Sequence, residues 1–392
     1  MLRRAVVRRA ALALSVWLAV WLCGACAPQS PPSGQPGELR IGLLATLTGE
    51  SADTSGKPTV EGAELAVQHV NEAGGLDVGG RRLRVVLLIE DDQDSSAAAV
   101  DAARKLIAQQ GVVALVGPQF SRNAIPVAEV AESARVPMVT PASTNPETTA
   151  SKRYVFRAAF VDPFQAQVLA RFAKEELEAQ RVAVLYDVAS AYNRGLAEQF
   201  KQAVEAAGGQ VVAFESYTTD AKRDLTRQLE RVRDSGPDLL FLPNYADEVP
   251  YQAEQARRLG ITATLLGADT WGSLPSADRA KLDGSFYSGH WAGDIEGAQA
   301  QAFISAYQRA YGQVPSETAA LTYDAFGLLF QAIQRQGKAD PEAIRAGLAD
   351  TKSYTGVTGS MEYQGSGDPV RSIVILRIAG DQARFYRLVN PR

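Results

Sequence analysis

Short apolar runs alternate with helical patterns along most of this 392-residue chain, and this alternation restricts the possible folds. The runs are 39–45, 83–89, 112–117, 136–140, 182–187, 211–215, 239–243 and 264–269. Continuous apolar strands that are separated by helices predict a parallel, doubly wound α/β sheet. Because one open sheet of so many strands would be large, we predict two α/β lobes. In such sheets a ligand binds beyond the carboxyl ends of the strands.

Charge and cysteine content argue against several classes of function. The formal net charge is −4, and the part of the chain after residue 26 is more acidic still, so no nucleic-acid partner is expected. Both cysteines, Cys23 and Cys26, lie near the N-terminus, so the body has no thiol nucleophile and no cysteine metal site. His69 and His290 lack metal-ligand spacing and are interpreted as packed or surface residues. We therefore expect no metal, no cofactor and no enzymatic activity.

The first 26 residues have the three-part pattern of an export signal. A basic start with four arginines is followed by the apolar run 10–22 and by the small residues Gly24 and Ala25. This order is typical of a secretory signal peptide, and the apolar run is shorter than the ~20 residues of a membrane span. Residues 1–26 are therefore predicted to be a signal peptide, and the mature protein is predicted to be exported.

Cys26 is a candidate for lipid attachment. The sequence Leu22-Cys23-Gly24-Ala25-Cys26 resembles a bacterial lipoprotein cleavage box, although a leucine is usual where Cys23 stands. Residues 27–37 (APQSPPSGQPG) form a flexible linker, rich in Pro, Gly, Ser and Gln, that suits a tether. We predict a lipid-anchored protein in the periplasm or on the outer cell surface. Ordinary cleavage after Ala27 is the alternative, because Ala25-Cys26-Ala27 also fits the small-x-small rule.

An ordered set of segments carries a family resemblance over essentially everything after the linker. The segments are EGAELAVQHVNEAGG, VALVGPQFS, VPMVTPASTNPETT, FRAAFVDPFQAQ, VAVLYDVASAYNRGLAEQF and DLLFLPNYADEVPYQAEQARRLG. Together they resemble the type I periplasmic binding proteins of the branched-chain amino acid class, which are receptors of ABC importers. The resemblance implies an amino-acid ligand, an ABC permease as partner and a monomer. It also implies two lobes joined by a three-crossover hinge, with lobe 1 at 38–157 plus 293–354 and lobe 2 at 158–292 plus 355–392.

The resemblance also implies which residues hold the ligand. Ser121 and the segment Ala142-Ser143-Thr144 follow two strands of the first lobe and match the loops that hold a ligand's α-carboxylate. Hydroxyl and backbone N–H groups at the start of a helix can bind an anion without an arginine. In the second lobe, Asp269 matches an acid that pairs with the ammonium. Tyr192 and Tyr245 match aromatic residues that line the cleft.

The identity of the ligand's side chain stays open. Ser55 stands where the branched-chain amino acid binders often carry an aromatic residue, and Trp271 is a second possible contact. An exposed or packed position for Trp271 is the alternative. An amide, urea or an aromatic acid is the alternative class of ligand, and a sensory binding domain is the alternative role. An enzyme on the same scaffold is disfavoured, because the sequence has no G-x-S-x-G nucleophile elbow.

Overall fold

The computed structural model describes residues 37–295 and 297–391, and the first lobe begins with a six-stranded sheet. Its strands are β1 (Glu38–Ala45), β2 (Leu76–Val78), β3 (Arg81–Asp91), β4 (Ala114–Val116), β5 (Met138–Thr140) and β6 (Val155–Arg157). Their order across the sheet is β2-β3-β1-β4-β5-β6, and every neighbouring pair is parallel except β2 with β3. No helix of the described ranges is long and apolar enough to span a membrane.

Helices cover both faces of the first sheet, which explains why its strands are apolar on both faces. Between the strands lie α1 (Lys57–Glu72), α2 (Ser96–Ala108) and α3 (Ser121–Ala134). Ile41 and Leu43 of β1 enter one core with α1, whereas Leu44 enters the other core with α2 and α3. All three side chains are fully buried. The alternation of β1 side chains therefore fixes which helix lies on which face.

The chain then crosses to a second lobe with the same architecture. Its helices are α4 (Asp162–Glu175), α5 (Ala191–Ala206), α6 (Thr226–Ser235), α7 (Val249–Arg258) and the short α8 (Ser276–Arg279). Its strands are β7 (Arg181–Asp187), β8 (Gln210–Tyr217), β9 (Leu239–Leu242), β10 (Thr264–Gly267) and β11 (Phe286–Gly289). All pairs among these five strands are parallel. Val182 and Val184 face one core and Ala183 and Leu185 face the other, so this sheet is covered on both sides too.

After β11 the chain returns to the first lobe. The returning elements are α9 (Ala298–Tyr311), α10 (Glu317–Gln336), α11 (Pro341–Ala349) and the strands β12 (Ser353–Gly356), β13 (Gly359–Tyr363) and β14 (Pro369–Val370) of a small antiparallel sheet. Met361 and Tyr363 pack in the same core as β1 and α10. The sequence prediction places the boundary between lobe 1 and lobe 2 after residue 354, so that β13 would belong to lobe 2. Residues 355–370 stay with the first lobe because two large side chains of β13 are buried there.

A third crossing completes the second sheet. The last strands, β15 (Ile373–Ala379) and β16 (Gln382–Val389), pair antiparallel with each other, and β15 pairs antiparallel with β11. The order of the finished seven-stranded sheet is β16-β15-β11-β10-β9-β7-β8. The predicted fold class, two doubly wound α/β lobes joined by three crossovers, is therefore confirmed, with antiparallel strands only at one edge of each large sheet.

Candidate functional site

A cavity lies between the two lobes, where the carboxyl ends of both sheets face each other. Its first-lobe wall comes from the loops after β1, β4 and β5 and from the start of α10, and its second-lobe wall from the loops after β9, β10 and β11 and the start of α5. The cavity has a volume of about 50 Å³, counted as the space open to the centre of a water molecule. Counted in this way, one water needs ~10–15 Å³, so the cavity suits a small molecule.

The first-lobe wall offers uncharged hydrogen-bonding groups. Ser121 is the first residue of α3, and its Oγ lies 2.8 Å from Ser143 Oγ. Ala142 and Thr144, from the loop after β5, line the cavity beside it. The amino end of α3 has no side-chain cap, and the helix dipole is positive at this end. This wall is suited to a carboxylate, because hydroxyl groups and a helix N-terminus stabilise an anion without a full positive charge nearby.

The second-lobe wall carries a buried acid. Asp269, which follows β10, is 8% exposed and lines the cavity. Its Oδ1 accepts hydrogen bonds from Gln165 Nε2 and from the Tyr192 hydroxyl, both at 2.7 Å. Burial raises the pKa of Asp269 to about 6, against the lowering effect of these two hydrogen bonds. The carboxylate is therefore ionised at neutral pH, and both donors that hold it are uncharged. A ligand ammonium would supply the opposite charge.

Aromatic side chains close the cavity between the lobes. The rings of Tyr192 and Tyr245 lie 5.2 Å apart, and Phe120 of the first lobe meets Tyr245 edge-to-face at 5.1 Å. The guanidinium of Arg122 stacks on the Tyr245 ring at 4.0 Å and forms a bidentate pair with Asp94. The lobes are therefore in direct contact beside the cavity, through π and cation–π interactions that stabilise a closed arrangement.

Ion pairs and hydrogen bonds also link the lobes at the cavity's edges. Glu50 of the first lobe pairs with Lys222 at 2.9 Å and with Arg223 at 3.1 Å. Asn145 Nδ2 donates to the backbone oxygen of Ala191 at 3.0 Å. These contacts link the two lobes directly across the edge of the cleft.

A second buried acid faces the cavity from α10. Glu317 is also 8% exposed, and its Oε1 accepts the backbone N–H of His290 at 2.8 Å. The same oxygen lies 2.6 Å from His290 Nδ1. Burial depresses the pKa of His290, and the charge of Arg371 lowers it further, so the imidazole is neutral. The contact is therefore a hydrogen bond and not an ion pair. The His290 ring stacks on Phe160 at 3.8 Å.

Comparison with known proteins identifies the family. The sequence profile of the periplasmic binding proteins matches residues 38–383. The Leu/Ile/Val-binding protein BraC3 of Rhizobium johnstonii is 30% identical over 349 residues, which cover 84% of this chain and 89% of that protein. The chain belongs to the type I periplasmic binding proteins of the branched-chain amino acid class. The resemblance inferred from the sequence is thereby confirmed.

Two solved structures support the same assignment for this periplasmic binding protein. The leucine-binding protein LivK of Thermotoga maritima superposes with a TM-score of 0.83 at 30% identity and covers 90% of this chain and 99% of its own. The substrate-binding protein LivJ of Streptococcus pneumoniae, solved in complex with isoleucine, gives a TM-score of 0.83 at 27% identity and covers 90% and 100%. The family consists of substrate-binding proteins.

Most residues predicted from the sequence meet in this one cavity of the periplasmic binding protein. Those that line it are Ser55, Ser121, Ala142, Thr144, Tyr192, Tyr245 and Asp269. Ser143 lies behind them, where its Oγ contacts both Ser121 and Thr148 at 2.8 Å. Trp271 lies elsewhere: its ring is fully buried in the second-lobe core, and its Nε1 donates to the backbone oxygen of Leu242. Trp271 is therefore a packed residue, one of the two alternatives to a ligand contact.

Sequence reasoning missed several polar residues of this periplasmic binding protein's cavity. Gln119, His290, Glu317 and Thr318 line it, and Gln165 of α4 holds Asp269 from behind. Glu317 follows Ser316, whose side chain caps α10, so a glutamate there resembles an ordinary first-turn acid. The position of Gln119, two residues before Ser121 in a strand-to-helix loop, was the one available signal. Cys26 and the predicted signal peptide and linker up to residue 36 lie outside the described residues.

Proposed function

We propose that this protein is an extracytoplasmic receptor that binds an α-amino acid in the cavity between its lobes and delivers it to an ABC importer. The family membership supports a substrate-binding role, and the names of BraC3, LivK and LivJ refer to branched-chain amino acids. The single observation that carries the proposal is the polarity of the cavity. Uncharged donors stand in the loops after β4 and β5 on the first-lobe wall, and a buried carboxylate, Asp269, stands on the second-lobe wall.

An α-amino acid matches this polarity at both ends. Its carboxylate would accept hydrogen bonds from Ser121, from Thr144 and from backbone N–H groups near Ala142. Its ammonium would pair with Asp269, and the ring of Tyr245 would cover it. The ligand would thus contact both lobes, so that binding favours the closed state over the open one. The three crossovers would act as the hinge.

Export and anchoring belong to the same proposal. The sequence pattern of residues 1–26 supports a signal peptide, and the box before Cys26 supports a lipid anchor on the mature chain. A tether of residues 27–37 would leave the receptor free to close on its ligand while it stays near the permease.

A screen of ligands tests the proposal. Purified mature protein is heated with each proteinogenic amino acid and with aliphatic amides, urea and aromatic acids, and the hits are measured by calorimetry. We expect an α-amino acid to give the largest thermal shift. At 100 times its Kd a ligand stabilises the folded state by about 2.7 kcal/mol. If an amide, urea or an aromatic acid binds more tightly than every amino acid, the proposed ligand class is wrong.

The same ligand tests the importer role. Cells that lack the protein should lose uptake of the labelled ligand, and expression of the intact chain should restore uptake. A strain that keeps full uptake but loses a transcriptional or motility response to the ligand would instead identify a sensory binding protein.

A further inference from the structure

Glu317 occupies a position that the surrounding backbone is shaped to receive. It projects from the first residue of α10 in the first lobe towards the second lobe, where its Oε1 contacts His290. Its Oε2 lies so close to Gly272 and Gly289 that a Cβ built at either residue would meet it at 2.6 or 2.8 Å. Any larger residue at these two positions would displace the carboxylate. Two glycines of the second lobe thus accommodate an acid of the first.

Oε2 of Glu317 is buried but has no hydrogen-bond partner among the described residues. Among the residues that the structure describes, no lysine or arginine lines the cavity to neutralise it. Asp247, a third acid in the lining, is already paired with Lys222. Burial raises the pKa of Glu317 to about 8, and the charge of Asp269 contributes, while the backbone N–H of His290 and the charge of Arg371 lower it. A hydrogen-bond donor or a positive charge on a ligand would stabilise the ionised form.

Gln119 presents a second unpartnered acceptor, and its neighbours fix its orientation. Its amide nitrogen donates to Thr59 Oγ1 and to Thr322 Oγ1, both at 2.9 Å. Both hydroxyls already donate their own hydrogens to backbone oxygens, so each can only accept from Gln119. The nitrogen must therefore face the two threonines, which leaves the amide oxygen buried without a donor among the described residues.

His290 supplies a third acceptor. When Glu317 is ionised, the imidazole must carry its proton on Nδ1 to donate to the carboxylate, because a neutral ring has one N–H. The other nitrogen, Nε2, then holds a lone pair, and no described residue donates to it. The three side chains all line the same cavity. Each is at least nine-tenths buried.

We propose that the ligand's side chain carries nitrogen hydrogen-bond donors, as an ammonium or amide group, and that Glu317, Gln119 and His290 accept them. This inference rests on the proposed function, because it assigns the side-chain end of the amino acid held by Asp269 and Ser121. A purely aliphatic side chain would leave Gln119 Oε1 without a donor and Glu317 in its protonated form. A nitrogen donor would satisfy the amide oxygen and stabilise the ionised carboxylate, whose contact with His290 Nδ1 leaves Nε2 as a further acceptor. Sites built to hydrogen-bond a substrate reject analogues that lack the group far more strongly than apolar pockets reject an extra methylene.

Pairs of amino acids with the same shape test this inference by calorimetry on the mature protein. Ornithine replaces the terminal methyl group of norleucine with an ammonium, and asparagine replaces the branched end of leucine with an amide. We expect the donor-bearing member of at least one pair to bind ~10-fold more tightly or better. A charged nitrogen displaces the proton of Glu317, so ornithine should release a proton near pH 7, and asparagine should release much less. Repeating the titration in buffers of different ionisation enthalpy distinguishes the two.

Substitution of Glu317 tests its role separately. Glu317→Leu should reduce the preference for the donor-bearing member by about tenfold or more, whereas Glu317→Gln should weaken ornithine but keep asparagine. Asp234→Asn, an exposed change in the same protein, should alter neither ratio. Tighter binding of leucine and norleucine by the wild type would overturn the inference and leave the proposed function standing. An unchanged preference in a folded Glu317→Leu would also overturn it. Failure of every amino acid to bind would refute the proposed function and this inference together.

Discussion

Replacement of Asp269 by asparagine should weaken the binding of any ammonium-bearing ligand by about 30-fold or more. Asparagine keeps the shape, and its amide oxygen can still accept from Gln165 and Tyr192, so the fold should survive. Since both of these donors are uncharged, and Asp247 is paired with Lys222, the ligand ammonium would lose the charged partner that the proposal assigns to it. Removal of one partner of a buried charge pair costs about 2–5 kcal/mol, and every 1.4 kcal/mol corresponds to a tenfold change in Kd. The lower limit gives about 30-fold.

Calorimetry with the tightest natural amino acid measures the effect, with Asp234→Asn on the exposed face of α6 as the matched control. The pH dependence adds a second readout. Because the pKa of Asp269 is raised to about 6, affinity should be present above pH 6 and lost as the pH falls below it. At pH 5 the wild type should bind roughly tenfold more weakly than at pH 7. Asp269→Asn should show no such step. If it binds as tightly as wild type at pH 7, the assignment of the ammonium to Asp269 is refuted.

Three further predictions concern stability and anchoring. Burial raises the pKa of Glu317 to about 8, whereas its pKa in the unfolded chain is near 4.5. The folded state therefore holds a proton that the unfolded state loses, and the free energy of unfolding should fall as the pH rises from 4.5 towards 8. Glu317→Gln should reduce this fall in ligand-free protein. Urea unfolding that gives the same change in the free energy of unfolding between pH 4.5 and pH 8.5 in both proteins would contradict it. Gly267→Ala should destabilise the second lobe by about 1–3 kcal/mol, because the new Cβ would lie 2.1 Å from the Trp271 ring. Gly293→Ala, whose Cβ meets nothing closer than 3.9 Å, is the control, and equal melting temperatures would refute the packing argument. Labelled palmitate should enter the wild type in cells but not Cys26→Ser, and label in both or in neither would exclude this anchor.

The parts of the fold that could be predicted are those with a strong local pattern. β1 and β7 are buried on both faces, so their apolar runs are continuous and easily recognised. β16 was not predicted, because it lies at a sheet edge and most of its side chains are exposed. β11 has four residues and ends in glycine. Both β11 and β16 pair with β15. The pairing of β11 with β15 joins parts of the chain that are distant in sequence, so a local sequence pattern cannot reveal it.

The candidate site divides in the same way. Ser121, Thr144 and Asp269 directly follow strands, or begin the helix after one, so the sheet rule and the family resemblance placed them together. Glu317 lies at the start of a helix that follows no strand. Its place in the cavity depends on the crossover after β11, which brings α10 back to the first lobe, and on two glycines distant in sequence that leave room for its carboxylate. Neither the return of α10 to the first lobe nor the space beside the two glycines can be recognised from the residues around Glu317 in the sequence.

The late return of the chain to the second sheet affects how the protein is made. β11 is flanked by β10 on one side and by β15 on the other, and β15 begins at Ile373. Until β15 has been synthesised, β11 is an open edge and Ile373 and Ile375 are missing from the core. The second lobe therefore completes its core only after all its other strands except β16 have been made. Removal of the β15–β16 hairpin would expose a strand edge prone to aggregation in a lobe whose cavity-lining residues all precede that hairpin.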